Sequence, residues 1–147
     1  MKAPQSLRHE HDALHAALAR AECAPGRVGE AARTLARIMH PHFLREDEYA
    51  TPPLGLLPDL ARGHVTAAMR AVLPQVERLR TELPLMLEEH RAIIGALDEL
   101  AAAADAAGQS EIVDFAEELK RHAEVEEEIM YPAAILVGQY VKLRLGV

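Results

Sequence analysis

Two stretches decide the fold of this chain: Glu10-His11-Asp12-Ala13-Leu14 with His42-Phe43-Leu44-Arg45-Glu46, and Glu89-His90-Arg91-Ala92-Ile93 with His122-Ala123-Glu124-Val125-Glu126. The second pair repeats the first, 79 to 80 residues later. Each copy also carries a proline ten residues after its second histidine, Pro52 and Pro132. In both copies histidine and glutamate occupy positions where helical periodicity calls for core side chains.

Working outward, each quoted stretch lies on an apolar stripe of helical spacing. The first stripe reads Leu7, His11, Leu14, Leu18, with Ser6 as a candidate N-cap and Pro25-Gly26 as its end. The second reads Ala31, Leu35, Ile38, His42, Glu46, Tyr49, with a kink expected near His40 from Pro41. The third reads Met86, His90, Ile93, Leu97, Leu100, starting near Thr81 or Pro84 and stopped by Ala107-Gly108. The fourth reads Ile112, Phe115, Leu119, His122, Glu126, Ile129, with Ser110 as N-cap and Pro132 and Gly138 marking its end. Residues 54–84 carry Gly63, Pro74 and Pro84 and predict one or two helical pieces, or an extension of the third helix. The expected fold is therefore all-α: an antiparallel up-down four-helix bundle with a pseudo-twofold repeat. An extra helical segment around 59–80 and a short C-terminal tail, Tyr140 to Val147, complete it. The chain reads as one domain over 1–147, with repeat copies at about 6–53 and 85–133.

Composition agrees. The 147 residues are half hydrophobic, with no Trp, two Phe and three Tyr, and good helix formers dominate. Net charge is −7 and no Lys/Arg block exists, which argues against a nucleic-acid surface. No apolar run approaches the roughly 20 residues of a membrane span. The N-terminal residues show no apolar leader, so a cytoplasmic location is expected. The single Cys23 can build neither an internal disulfide nor a thiolate metal site alone.

An isolated histidine on an apolar face is more often a hydrogen-bonded core residue than a ligand. Here every stripe holds one, and two stripes add a glutamate one turn later, on the same face. Unpartnered buried carboxylates cost several kcal/mol, so the whole set needs a common partner, and a pair of cations supplies it. His15, one turn after His11, joins the set; its counterpart in the second copy is Ile94. The candidate metal residues are His11, His15, His42, Glu46, His90, His122 and Glu126. Two octahedral ions offer about twelve positions, and five nitrogens, two bridging carboxylates and a shared oxygen bridge leave about one open. Imidazole and carboxylate without thiolate favour two iron ions, oxo- or hydroxo-bridged, with manganese or zinc as substitutes. Leu14, Leu18, Ile93, Ile94 and Leu97 are the candidate lining of a small-ligand pocket. His40 competes with His42, and the equal intervals to Pro52 and Pro132 favour His42. Asp47, Glu48, Glu124, Glu127 and Glu128 fall off the inward face and read as solvated.

These residues resemble the hemerythrin-like, or HHE cation-binding, family. The resemblance rests on Glu10-His11, His42-x-x-x-Glu46, Glu89-His90, His122-x-x-x-Glu126 and Tyr131-Pro132. It implies a non-haem di-iron centre in a four-helix bundle that binds or senses oxygen or related small molecules. It also admits, as an alternative, an enzyme acting on peroxide or nitric oxide or in iron–sulfur repair. A bundle that the metal merely stabilises is a third reading. The expected partners are dioxygen or another small ligand, and a second copy of the chain in a homodimer. The chain departs from the animal oxygen carriers in placing its His-x-x-x-His pair on the first helix, in using Glu126 at four-residue spacing, and in having Thr51 before Pro52.

Overall fold

The computed structural model describes all residues, 1–147, and contains six α-helices. They are α1 (Gln5–Glu22), α2 (Gly26–Arg45), α3 (Leu57–Ala61), α4 (Leu73–Ala106), α5 (Ser110–Val125) and α6 (Tyr131–Leu145). Short 3-10 segments, Pro52–Leu56 and Ala67–Val72, flank α3. Helices α1, α2, α4 and α5 form the bundle, with α2 packed on α1 and α4, and α5 on α4 and α1. No helix is long and apolar enough to cross a membrane.

The stripes become the buried faces. His11, Leu14 and Leu18 of α1 are buried, as are Leu35, Met39, His42 and Phe43 of α2. So are Met86, His90, Ile93 and Leu97 of α4, and Phe115, Leu119 and His122 of α5. His42 is buried and His40 exposed, so the helix keeps its phase through Pro41. Along each helix the histidine separates two apolar clusters. Leu14, Met39, Ile93 and Leu119 belong to one cluster, and Tyr49, Met86, Met130 and Tyr131 to the other. The polar layer is thus sealed above and below by hydrocarbon.

Both copies have a π turn that begins at the inward glutamate, at Glu46–Ala50 and at Glu126–Met130. Each π turn precedes the repeat's proline. The wider turn interrupts the ordinary ladder where Pro52 and Pro132 would clash with it and lack a donor. In the first copy the chain then leaves the bundle through the 3-10 segment. In the second it does not stop at Pro132 or Gly138, as the sequence suggested, but runs on as α6 to Leu145. The expected tail is therefore mostly helix. The π turn also shifts phase: Ile129, expected inside, is 61% exposed, and Met130 takes the inward position.

The third bundle helix begins at Leu73, as the extension admitted for residues 54–84, and passes through Pro84, whose position is exposed. Two helix starts differ from expectation. Neither Ser6 nor Ser110 caps its helix; Pro4 and Gln109 hold those positions without a side-chain cap. Gly108, at φ 69°, follows the end of α4 as expected.

The connection 54–84 builds a third apolar cluster in which Leu56, Leu60, Met69, Val72 and Val76 meet Val137 and Val141 of α6. Gly138 is the contact point. A Cβ placed there would lie 2.5 Å from Val76 Cγ1 and 3.0 Å from Val76 Cβ. Gly138 therefore permits close approach of α4 and α6 rather than ending a helix. Gly138→Ala is expected to lower unfolding free energy by about 1–3 kcal/mol, despite the roughly 1 kcal/mol that alanine gains in helix propensity. Urea denaturation measures it, and adding Val76→Ala should remove the penalty of the glycine substitution.

Candidate metal centre

Four helices deliver one histidine each to the sealed layer, and the two π-turn starts deliver Glu46 and Glu126. All six side chains are buried; Glu46 is 0% exposed. The imidazoles meet in pairs through Nε2: His42 and His90 at 3.0 Å, His11 and His122 at 3.3 Å. The carboxylates stand between the pairs. Glu46 Oε1 is 3.3 Å from His42 Nε2 and Glu46 Oε2 3.7 Å from His11 Nε2. Glu126 Oε1 is 3.5 Å from His90 Nε2 and Glu126 Oε2 3.5 Å from His122 Nε2. The donor atoms form two overlapping groups, His42-Glu46-His90-Glu126 and His11-His122-Glu126, which share Glu126.

These atoms fit cations. Two nitrogens at right angles around one ion, each about 2.1 Å from it, are separated by about 3 Å, which is the separation of the imidazole pairs. Glu46 Oε2 and Glu126 Oε2 are buried and have no hydrogen-bond donor. A carboxylate oxygen buried without a donor is costly, and a bound cation removes that cost.

The protein alone can relieve the pair only with protons. Burial and the neighbouring Glu126 raise the Glu46 carboxyl above its ordinary range. Burial pushes Glu126 the same way, but Glu46, His122 and His90 outweigh it and hold it well below the usual carboxylate range. Burial disfavours the charged forms of His42 and His122, yet the surrounding carboxylates raise both, His122 to about 9. Burial, with Glu46 and Glu126 close by, drives the Tyr131 phenol far up, so it stays protonated.

Each of the four imidazoles points Nδ1 outward at a carboxylate. His122 faces Glu10 at 2.9 Å, His90 faces Glu127 at 2.9 Å, His11 faces Asp47 at 3.4 Å and His42 faces Glu89 at 3.5 Å. The pattern obeys the repeat. The glutamate preceding each α1 or α4 histidine reaches the histidine of α5 or α2, and the acid following each inward glutamate reaches the histidine of α1 or α4. Such partners fix ring orientation and raise ligand basicity. Arg45 holds the other Glu89 oxygen at 2.5 Å. Asp47 and Glu127, read from sequence as solvated, thus belong to the site. Their place directly after Glu46 and Glu126 in both copies was the available signal.

Tyr131 was also not foreseen at the centre. Its hydroxyl donates to Glu46 Oε1 at 2.6 Å and lies 3.2 Å from His90 Nε2. The equivalent residue of the first copy, Thr51, instead donates to the Glu46 main-chain oxygen at 3.2 Å. His15 joins neither group of donor atoms. It is half-buried, packed on Phe43 with ring centroids 4.1 Å apart and stacked at 5.9 Å on His40. Burial, then the neighbouring His40 and His11, lowers its pKa. His15 also lines a cleft of about 490 Å³ with His11, Asp47, Thr51, Lys2 and Arg8. Leu14, Leu18, Ile93 and Leu97 form the apolar wall next to the centre, whereas Ile94 is half-buried beside a surface cleft at His90.

The outer carboxylates give a prediction. Glu10→Gln and Glu89→Gln are each expected to weaken metal binding about 10–100-fold, read by competition with a chromogenic chelator. Glu30→Gln, on an exposed position near the start of α2 and twelve residues from His42, should leave it unchanged.

Comparison with curated proteins and with solved structures gives no match. The family model of the hemerythrin HHE cation-binding domain matches residues 3–134. With that match spanning nearly the whole chain and the paired His/Glu groups at its centre, this protein belongs to the hemerythrin HHE cation-binding domain family.

Proposed function

We propose that the chain holds two iron ions between its imidazole pairs and binds or senses dioxygen, or a related small molecule, there. The observation that carries this reading is the pair of donorless carboxylate oxygens, Glu46 Oε2 and Glu126 Oε2, buried among four converging Nε2 atoms. His42 and His90 would hold one ion and His11 and His122 the other, with Glu46 and Glu126 between them. His15, one turn beyond His11, is assigned to the His11 side as its outermost donor. When bound, two such ions supply redox-active Lewis acids with room for a small exogenous ligand.

The protein's own residues would perform three tasks. Leu14, Leu18, Ile93 and Leu97 exclude water from one side of the layer. The cleft beside His11 and Thr51 gives a small molecule a way in. Tyr131 keeps a proton at its hydroxyl, directed at Glu46 Oε1, and so offers a hydrogen-bond donor within the centre.

Tyr131 also favours a second reading, disproportionation of peroxide, because breaking the O–O bond requires protons to be moved within a dry site, with none consumed overall. The two readings separate by experiment. Protein purified without air should change its visible absorption on exposure to oxygen and regain the original spectrum when oxygen is removed. An irreversible change, or none, contradicts oxygen binding. Under the peroxide reading Tyr131→Phe should keep its metal and lose about 10²–10⁴-fold in peroxide consumption. His15→Ala is expected to weaken retention of one ion while the other stays bound, measured by metal content after dialysis against chelator.

A further inference from the structure

The two halves of the centre match in their inner imidazoles and carboxylates and differ just outside them. Each imidazole has one outer carboxylate, and the repeat pairs those acids, Glu10 with Glu89 and Asp47 with Glu127. Glu10 and Glu89 are the informative pair, because the same residue type faces the same ring nitrogen in both copies. Glu10 stands 2.9 Å from His122, its side chain is 47% exposed, and no lysine or arginine reaches it. Glu89 stands 3.5 Å from His42, its side chain is 15% exposed, and Arg45 holds its second oxygen at 2.5 Å. Neither Asp47 nor Glu127 has such a partner; Arg91, which lines the cleft at His90 with Glu127, is taken up by Glu88.

The cause lies in one position of the repeat. Arg45 directly precedes Glu46, and the residue directly preceding Glu126 is Val125. The second copy therefore offers Glu10 no cation. An imidazole is the stronger metal donor when a carboxylate faces its other ring nitrogen. A cation on that carboxylate offsets its charge and so weakens its pull on the ring proton. Glu89 is mostly out of water, so solvent and salt screen this effect less than at the other three acids. Of the four imidazoles, only His42 has an outer acid neutralised in this way.

We propose that Arg45 makes the two ion positions unequal, weakening the His42–His90 position so that the His11–His122 position fills first. The inference rests on the reading that the chain holds two ions. Arg45 is a positioning residue, acting through Glu89 on His42. His15, on the His11 side, works in the same direction, and substitution of Arg45 alone separates the two effects.

Equilibrium removal of zinc from the zinc-loaded full chain by a chromogenic chelator tests the assignment. The natural sequence is expected to release two zinc ions in two steps, with affinities at least about tenfold apart. Arg45→Gln should tighten the weaker step about tenfold and leave the stronger one in place, a gain that loss of a merely structural ion pair would not produce. Arg45→Lys, which keeps the charge, should behave like the natural sequence. Val125→Arg, at a position 44% exposed, should weaken the stronger step. Fewer than two zinc ions on the natural sequence overturns the two-ion reading and this inference with it. Two ions released with equal affinity, or an Arg45→Gln variant that binds two ions with its weaker step unchanged or weakened, overturns the role of Arg45 and leaves the two-ion reading standing.

Discussion

Two glutamates buried side by side in the middle of an apolar bundle are the constraint on which this structure turns. Glu46 and Glu126 are sealed from water by clusters above and below, and one oxygen of each has no donor. Hydrophobic packing cannot tolerate that arrangement by itself, since each unpaired buried charge costs several kcal/mol. The rest of the centre answers that cost. Four imidazoles bring nitrogens to within about 3–4 Å of the carboxylates, and four more carboxylates outside polarise those imidazoles. The result is a layered polar network, with glutamate inside, then histidine, then acid at the surface, and its interior calls for positive charge.

The backbone is shaped to deliver that network. Both inward glutamates open a π turn, and both π turns lead to a proline. The repeat thus carries a backbone irregularity together with its inward glutamates, the usual association of π turns with functional sites. The copies diverge only after it. The first exits into the 3-10 segment and leaves Thr51 beside the cleft at His11. The second continues as α6 and places Tyr131 on Glu46. One side of the centre therefore receives a phenol and the other has a threonine at the equivalent place, while clefts adjoin both His90 and His11.

Much of this was legible from side-chain periodicity. Four stripes with histidine on each fixed the bundle, and the spacing of four put His42 with Glu46 and His122 with Glu126. What escaped had physical causes. Periodicity at 3.6 residues cannot register a π turn, so Ile129 was placed inside and Met130 missed. Proline and glycine read as helix stops because sequence shows neither the π turn that accommodates Pro132 nor the Val76 contact that needs Gly138. Asp47 and Glu127 read as solvated because a carboxylate can be exposed at its edge and still reach an imidazole Nδ1. His15 shares the inward phase of His11 by count, yet Phe43 and His40 hold its ring at the rim. The copies differ at His15 and Ile94 in sequence, and the structure adds a difference at Tyr131 and Thr51, where side-chain reach rather than spacing decides.

The central claim is that Glu126, with Glu46 beside it, would serve two cation sites within one chain. Quantitative elemental analysis of purified protein, compared with Glu126→Ala, tests it most directly. Two transition-metal ions per chain are expected for the natural sequence, and loss of Glu126, which both donor groups share, should deplete both ions together. Protein that folds to full thermal stability with no bound metal, or a Glu126→Ala variant that retains both ions, would contradict the account.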